Sequence, residues 1–329
     1  MKKVLRPEPI SAEPNVEENE WPFGRLRIKS PEQPLVLLLI VGSFLAVSTI
    51  IAKAAPEFGW HPLALLQWSI LGGAIGLFTL TRVFATDRPG PDHAGNGAAF
   101  SQLAPYLLVS GILFIIPNMI AVVAAPKVGA GFVSLSFAFP LVLTYAFAVV
   151  LRIEKFQKLR GTGVLFGLAG GILLAVSGKN LSVEASFWSL FALTIPIFLA
   201  TGNIYRTLKW PTGAKPVDLA LGMMAVGFVA LAVFNLFFGV PFAPGSWSEN
   251  AGVLLAAQAA IFSLQYGLYF RLQQTAGPVY LSQIGSVAAV VGLGLGFLVF
   301  GEIPNAEKLA AVVAVGVGIV LVTIGRNRH

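Results

Sequence analysis

The 329-residue chain contains no cysteine. Disulfides, thiolate nucleophiles and Cys-ligated zinc or iron–sulfur sites are therefore excluded. Histidine is nearly as scarce. His61, His93 and His329 stand singly in loops or at the terminus, so a histidine-cluster metal centre has nothing to build on. Charge is scarce too: Asp, Glu, Lys and Arg make up 11% of the residues, against about 25% in a soluble globular domain. So few charges cannot cover a soluble surface. No phosphate loop of the GxxxxGK[ST] type is present, which excludes an ATP-driven pump built on one. No nucleophile–His–acid set lies within reach of one membrane leaflet. The string "GLGLGF" (292–297) matches loose glycine patterns only because the apolar runs are rich in glycine. No enzymatic chemistry, metal or cofactor is expected.

Hydrophobic sequence is what the chain has in abundance, at 56% of its residues, where about 45–50% is usual. A bilayer-spanning helix needs about 20 mainly apolar residues. Ten runs meet that need: 35–54, 62–82, 104–124, 130–151, 160–178, 186–206, 216–239, 250–271, 278–300 and 306–325. The expected fold is an all-α integral membrane protein with ten transmembrane helices. The longest intervening loop, 85–101, reads as a Gly/Pro linker.

Residues 1–34 are polar, and the first apolar run begins only near Leu35, so the N-terminus does not read as a cleavable signal. It is expected to be a flexible cytoplasmic tail. Arg25, Arg27 and Lys29 are either a topogenic cluster or a contact to anionic lipid. The net charge of +7 is distributed unevenly. With the N-terminus inside, eighteen of the 22 Lys and Arg residues fall on the inner side; Lys53, Lys127, Lys179 and Lys308 fall outside. Positive charge stays on the cytoplasmic side. Both termini are thus expected in the cytoplasm, in a cell inner (plasma) membrane. The basic charge reports topology and the lipid bilayer as partner, not nucleic acid.

The chain carries a weak internal repeat. "SFLAVSTI" (43–50) lies over "IFLATGNI" (197–204), and Pro62, Leu65 and Gly73 lie over Pro216, Leu219 and Gly227 at the same offset. Beyond the 85–101 loop the offset drops by six residues, and Gly129, Ser134, Glu154 and Gly170 then meet Gly277, Ser282, Glu302 and Gly318. The ordered anchors divide the chain into two five-helix halves, 35–179 and 180–326. Five is odd, so the second half is expected upside down relative to the first. Inverted halves around a mid-membrane site are an alternating-access transporter design.

The Gly-Glu step of "FGEIPNAEKLAAVVAVGVGIVLV", its cousin "LRIEKFQKLRGTGVLFGLAGGILLA" (151–175), the paired "HP" and "KP" entries to the second helix of each half, and Lys53 near the end of helix 1 resemble the drug/metabolite transporter superfamily in its EamA-like ten-helix branch. The resemblance spans roughly residues 35–325. The sequence departs from the family pattern with Ile153-Glu154 in place of Gly-Glu, Gln67-Trp68-Ser69 where many members carry an arginine, and Val41-Gly42 for a Trp-Gly pair. The resemblance implies export or exchange of small metabolites, often amino acids or aromatic compounds, through a central cavity. Relatives that carry nucleotide sugars or sugar phosphates tend to use buried basic residues, and none stands in the middle of a run here.

Charge inside a membrane is expensive and usually functional. Lys53, Arg82, Arg206, Asp218 and Arg271 all fall at span ends, where long side chains can snorkel. The candidate binding groups are therefore neutral. Gln258, Gln265 and Tyr269 share one helix face at i, i+7, i+11. Thr194, Thr201 and Tyr205 do the same, with Asn203 off that stripe. Tyr280 and Gln283, Asn118 beside Pro117, and Ser48 with Thr49 complete the set. Buried amides must face other helices or a wet cavity, so Asn118, Gln265 and Gln283 serve either a cavity or interhelical packing. For Ser and Thr a bond back to the own helix competes with any cavity role. Tyr266 and Tyr269 lie deep enough to line a cavity. Trp60, Trp188, Trp210 and Trp247 fit an interfacial belt. The spaced glycines Gly163, Gly167 and Gly171, and Gly292, Gly294 and Gly296, read as packing positions. Pro117, Pro140 and Pro196 are candidate kinks.

Glu154 and Glu302 are repeat counterparts at span ends. Glu302, before Pro304 and a candidate N-cap Asn305, reads as a boundary marker with a gating role as the alternative. The expected function is a secondary or exchange transporter of small amphipathic metabolites, amino acids favoured and export favoured. A small-molecule substrate is the expected partner, and a monomer suffices. Uptake of a nucleobase, vitamin or similar compound is the alternative. A membrane-embedded enzyme or structural subunit is the reading from another class.

Overall fold

The structure, a computed structural model, describes residues 33–83, 100–152, 155–176 and 183–326. The described residues form α-helices α1 (Gln33–Ala54), α2 (Pro62–Val83), α3 (Phe100–Val128), α4 (Ala130–Ser136), α5 (Pro140–Val150), α6 (Lys158–Val176), α7 (Val183–Ala192), α8 (Ile195–Leu208), α9 (Pro216–Phe237), α10 (Glu249–Leu281), α11 (Ile284–Phe300) and α12 (Ala306–Arg326). A short 3-10 helix, Ala55–Phe58, follows α1, and no strand occurs among the described residues. Seven helical segments of the described residues are long and apolar enough to cross a bilayer. Large apolar side chains such as Leu236, Phe237, Val290 and Leu298 point outward. That exterior suits hydrocarbon and would not suit water. The chain is an all-helical membrane protein.

Two of the expected single spans are each broken in two. Proline has no N–H and its ring clashes with the carbonyl four residues back. Pro140 begins α5 and Pro196 sits in the first turn of α8, each just after a break. The chain crosses the first break on three tight i→i−3 bonds, from the N–H groups of Phe137, Ala138 and Phe139 to Ser134, Leu135 and Ser136. Pro117, in contrast, lies inside α3 without ending it. A third difference lies between α10 and α11. In place of a loop after residue 271, helix continues to Gly277, whose φ of 77° and ψ of 177° interrupt it. Gly129 interrupts the chain between α3 and α4 in the same manner, at φ 96° and ψ 145°. Positive φ at this ψ is open essentially to glycine alone.

The helices pack in a definite pattern. α1 lies against α10 and α11, α2 against α9 and α10, α3 against α8 and α9, α5 against α8, and α6 against α12. Glycine sets several of these distances. A Cβ on Gly163 of α6 would lie 2.7 Å from the Gly318 carbonyl oxygen of α12, and one on Gly318 would lie 2.7 Å from the Gly163 carbonyl oxygen. The two backbones touch, as small residues allow in membranes. Gly167 packs on Val142 and Gly292 on Ser134, whereas a Cβ on Gly294 would meet nothing within 4 Å.

The tightest approach is at Gly285, in the first turn of α11. A Cβ there would lie 1.5 Å from the Phe137 carbonyl oxygen, in the break between α4 and α5. Gly285→Ala is therefore expected to destabilise the fold by about 1–3 kcal/mol, the usual cost of overpacking. Gly294→Ala on the same helix should be neutral or gain up to about 1 kcal/mol of helix propensity. Thermal unfolding of the two purified variants in detergent checks the contrast; equal melting temperatures would contradict this packing.

Candidate functional site

The helix breaks and glycine contacts leave a cleft inside the bundle, with about 530 Å³ of free space including its open mouth. α3 supplies Leu113, Phe114, Pro117 and Asn118, and α10 supplies Gln265, Tyr266 and Tyr269. Leu199 and Arg206 enter from α8, Met223 from α9, Leu45 from α1 and Ile284 from α11; Phe137 stands in the α4–α5 break. The wall is mainly apolar, with amide, phenol and guanidinium groups set into it. Small-molecule sites have this composition.

Arg206 corrects the sequence reading. It lies near the end of α8, but its side chain turns inward and is only 3% exposed. Asn203 and Arg206, three residues apart, share a helix face. The Arg206 Nη2 donates to Asn203 Oδ1 at 3.1 Å and to the Tyr269 hydroxyl at 2.7 Å. Tyr269 in turn donates to Asn203 Oδ1 at 2.6 Å. The guanidinium carbon stands 5.4 Å from the Tyr269 ring centroid. Gln273 ties the same region down, its Nε2 donating to the Asn203 carbonyl and the Thr207 hydroxyl, both at 3.1 Å. Arg206, Gln273 and Thr207 were not among the residues expected in the site. The three-residue step from Asn203 to Arg206 was the available signal; a charge near a helix end reads as snorkelling unless its face is known.

The structure gathers part of the expected set. Asn118, Gln265, Tyr266 and Tyr269 line the cleft, with Asn203 behind Tyr269 and Arg206. The Tyr266 hydroxyl donates to Asn118 Oδ1 at 3.4 Å, and Asn118 Nδ2 donates back to the Phe114 carbonyl at 2.8 Å. Gln265 is 3% exposed, and its Oε1 has no partner. Other residues fall elsewhere. Thr201 is exposed on the outer face of α8, because the stripe it shares with Thr194 and Tyr205 is not the inward one. Ser48 and Tyr280 are half-buried and Gln283 is buried, and none lines the cleft. Tyr280 packs instead beside Leu38, Val41 and Leu281. Trp60 does not face outward either. It is 2% exposed, packs edge-on against Trp247 and donates to the Ala251 carbonyl at 3.0 Å.

A second polar constellation surrounds Glu302, between α11 and α12. Its Oε1 accepts from the Lys53 ammonium and, at 2.9 Å, from the Ala130 N–H; its Oε2 accepts from the Gly131 N–H at 2.9 Å. Lys53 therefore folds onto a partner instead of snorkelling, and its Nζ stands 4.1 Å from the Phe300 ring centroid. Space for the carboxylate is made by glycine. A Cβ on Gly129, Gly131 or Gly296 would come within 3.0, 3.0 or 2.8 Å of it. Glu302 does mark the α11–α12 boundary, but the helix N-terminus it serves is that of α4, far away in sequence. The α12 N-terminus is capped by Asn305, whose Oδ1 accepts from the Lys308 N–H at 2.9 Å. Glu154, the proposed counterpart, lies outside the described residues.

No family model and no curated protein matches the chain. One solved crystal structure, described only as that of a protein, is similar with a TM-score of 0.58 at 17% identity, covering 89% of this chain and 96% of its own. At that identity the likeness concerns the fold alone.

The Glu302 carboxylate gives a pH prediction. Burial pushes its pKa up, but the Lys53 ammonium and the two backbone N–H groups outweigh burial and hold it below the ordinary carboxylate value. A lowered folded-state pKa stabilises fully above the ordinary value of about 4.3 and less as pH falls through the folded-state value. Glu302→Gln is expected to lower the melting temperature at neutral pH and to flatten its acid dependence below about pH 4.3. Melting scans in detergent between neutral and acid pH read both; an unchanged acid limb in the variant would refute the assignment.

Proposed function

We propose that the chain is a secondary transporter of the drug/metabolite transporter type, with ten spans arranged as two inverted five-helix halves, 35–179 and 180–326. The observation that carries this reading is the cleft. It is lined from both halves, by α1, α3 and the α4–α5 break on one side and α8 to α11 on the other. The helix contacts favour the same division. Exchanging the halves turns the α1–α11 contact into α8–α5, α2–α10 into α9–α3, and α3–α8 into α10–α1; α2–α9 and α6–α12 map onto themselves. Gly129 and Gly277, both at positive φ, occupy corresponding places. Five helices per half reverse the direction of the second, and two inverted halves around one site can rock to open it to either side in turn.

A small amphipathic metabolite suits the lining: Leu45, Leu113, Phe114 and Met223 take an apolar body while Asn118, Gln265 and the tyrosines take polar atoms. Amino acids are the favoured class, and export or exchange the favoured mode. The skew of Lys and Arg favours an inner-membrane protein with both termini cytoplasmic. Against an enzyme stands the cleft's chemistry. Among the described residues its lining offers amides, phenols and one guanidinium, with no carboxylate or histidine to complete an acid–base pair.

Counterflow in liposomes tests the reading. Purified protein should exchange labelled amino acids against an internal pool, and no substrate-dependent flux across a broad metabolite panel would sink it. Gln265→Ala should reduce flux about fivefold, the equivalent of one hydrogen bond of about 1 kcal/mol, with expression unchanged.

A further inference from the structure

Arg206 is a buried cation with no anion hydrogen-bonded to it among the described residues. All the partners of its guanidinium are neutral: Asn203 Oδ1 and the Tyr269 hydroxyl, both on Nη2. Its Nε is buried and has no partner. Among the described residues, the cleft lining contains no carboxylate. A guanidinium offers five N–H donors, and a charge removed from water normally faces a counter-ion or a wet site. Here the cation borders the cleft, so whatever enters can meet it.

We propose that the cleft binds a carboxylate-bearing amphiphile, its carboxylate on Arg206 and its apolar body against Leu113, Phe114, Met223 and Ile284. The inference rests on the reading of the cleft as the substrate site and names the chemical class that site takes. A guanidinium pairs with a carboxylate through parallel N–H···O bonds, which fixes orientation as well as charge. Its bonds to Asn203 and Tyr269 already hold the guanidinium, so the anion does not have to order it on binding. The lining carries one cation, which matches one negative charge; a phosphate dianion would call for a second. The lining also holds acceptors. The unpartnered Oε1 of Gln265 and the Oδ1 of Asn118 can take N–H groups from the ligand. An amino acid with an apolar side chain satisfies both ends, and a simple monocarboxylate satisfies the Arg206 end.

The test is equilibrium binding to the full chain in lipid nanodiscs, read by thermal shift and calorimetry. The probes are L-phenylalanine, 3-phenylpropionate, 3-phenylpropionamide, phenethylamine and inorganic phosphate, against the wild type, Arg206→Gln and Arg206→Lys. The expected result is that phenylpropionate binds at least tenfold more tightly than its amide, with Arg206→Gln abolishing that preference and Arg206→Lys retaining part of it. Phenylalanine binding more tightly than phenylpropionate would assign the Gln265 side to an ammonium; the reverse order would assign the site to simple monocarboxylates, and either supports the proposal. Because acid and amide are compared on one folded protein, the wild-type result does not depend on how well a variant folds. Equal affinity for acid and amide, tighter binding of phosphate or phenethylamine, or no binding of either carboxylate would overturn it. Carboxylate binding through Arg206 without flux in liposomes would leave this inference standing and defeat the transporter reading.

Discussion

Every backbone N–H and C=O within a bilayer has to find a partner inside the protein, because hydrocarbon offers none. This constraint explains the least regular parts of the molecule. The chain breaks its helices at Gly129, at Phe137–Phe139, at Leu193–Thr194 and at Gly277. Each break frees amide groups. Those of Phe137 to Phe139 are recovered by i→i−3 bonds. Those at the start of α4 are recovered by Glu302, whose two oxygens take the N–H groups of Ala130 and Gly131. The carboxylate is itself kept charged by Lys53 from the end of α1. One side chain thus joins three places far apart in sequence, and the helix-end dipole adds to the attraction.

The glycines follow from the same demand. A carboxylate can reach backbone N–H groups only where no side chain stands in the way, and Gly129, Gly131 and Gly296 clear that approach. The α4–α5 break can lie under α11 only because position 285 lacks a Cβ. α6 and α12 meet along Gly163 and Gly318 for a plainer reason: dispersion between lipid-facing helices grows as their axes approach. Spacing alone does not separate these uses. Gly292, Gly294 and Gly296 alternate in sequence, yet the first packs on Ser134, the second meets nothing and the third borders Glu302.

The apolar helices were legible because about 20 apolar residues in a row admit few other readings. Gln265, Tyr266, Tyr269 and Asn118 were legible because buried amides and phenols need partners. Thr201 and Arg206 were misplaced for a shared reason. In α8 the polar residues Thr201, Asn203, Tyr205, Arg206 and Thr207 fall on more than one side of the helix, so polarity by itself did not reveal which side faced in. Thr201 fell on the lipid side and Arg206 on the cleft side, two positions that only the packing of α8 against α3, α5 and α10 distinguishes. The Lys53–Glu302 pair is a contact across 249 residues. Sequence placed both residues at helix ends but held no sign that the two ends meet.

The broken helices and the cleft are one feature. Phe137, in the α4–α5 break, and Ile284, the first residue of α11, both line the cleft, and Leu199 follows the Pro196 break by less than one turn. Continuous helices would carry side chains through this space at regular intervals; interrupted ones leave it open and turn their ends toward it. That opening lets Arg206 persist. A cation removed from water is costly, and neutral hydrogen bonds at about 1 kcal/mol each do not replace a counter-ion. The balance is reduced if the guanidinium borders water or an anion in the cleft instead of lipid. The irregular backbone that obliges Glu302 to cap α4 thus belongs with the opening that Arg206 borders.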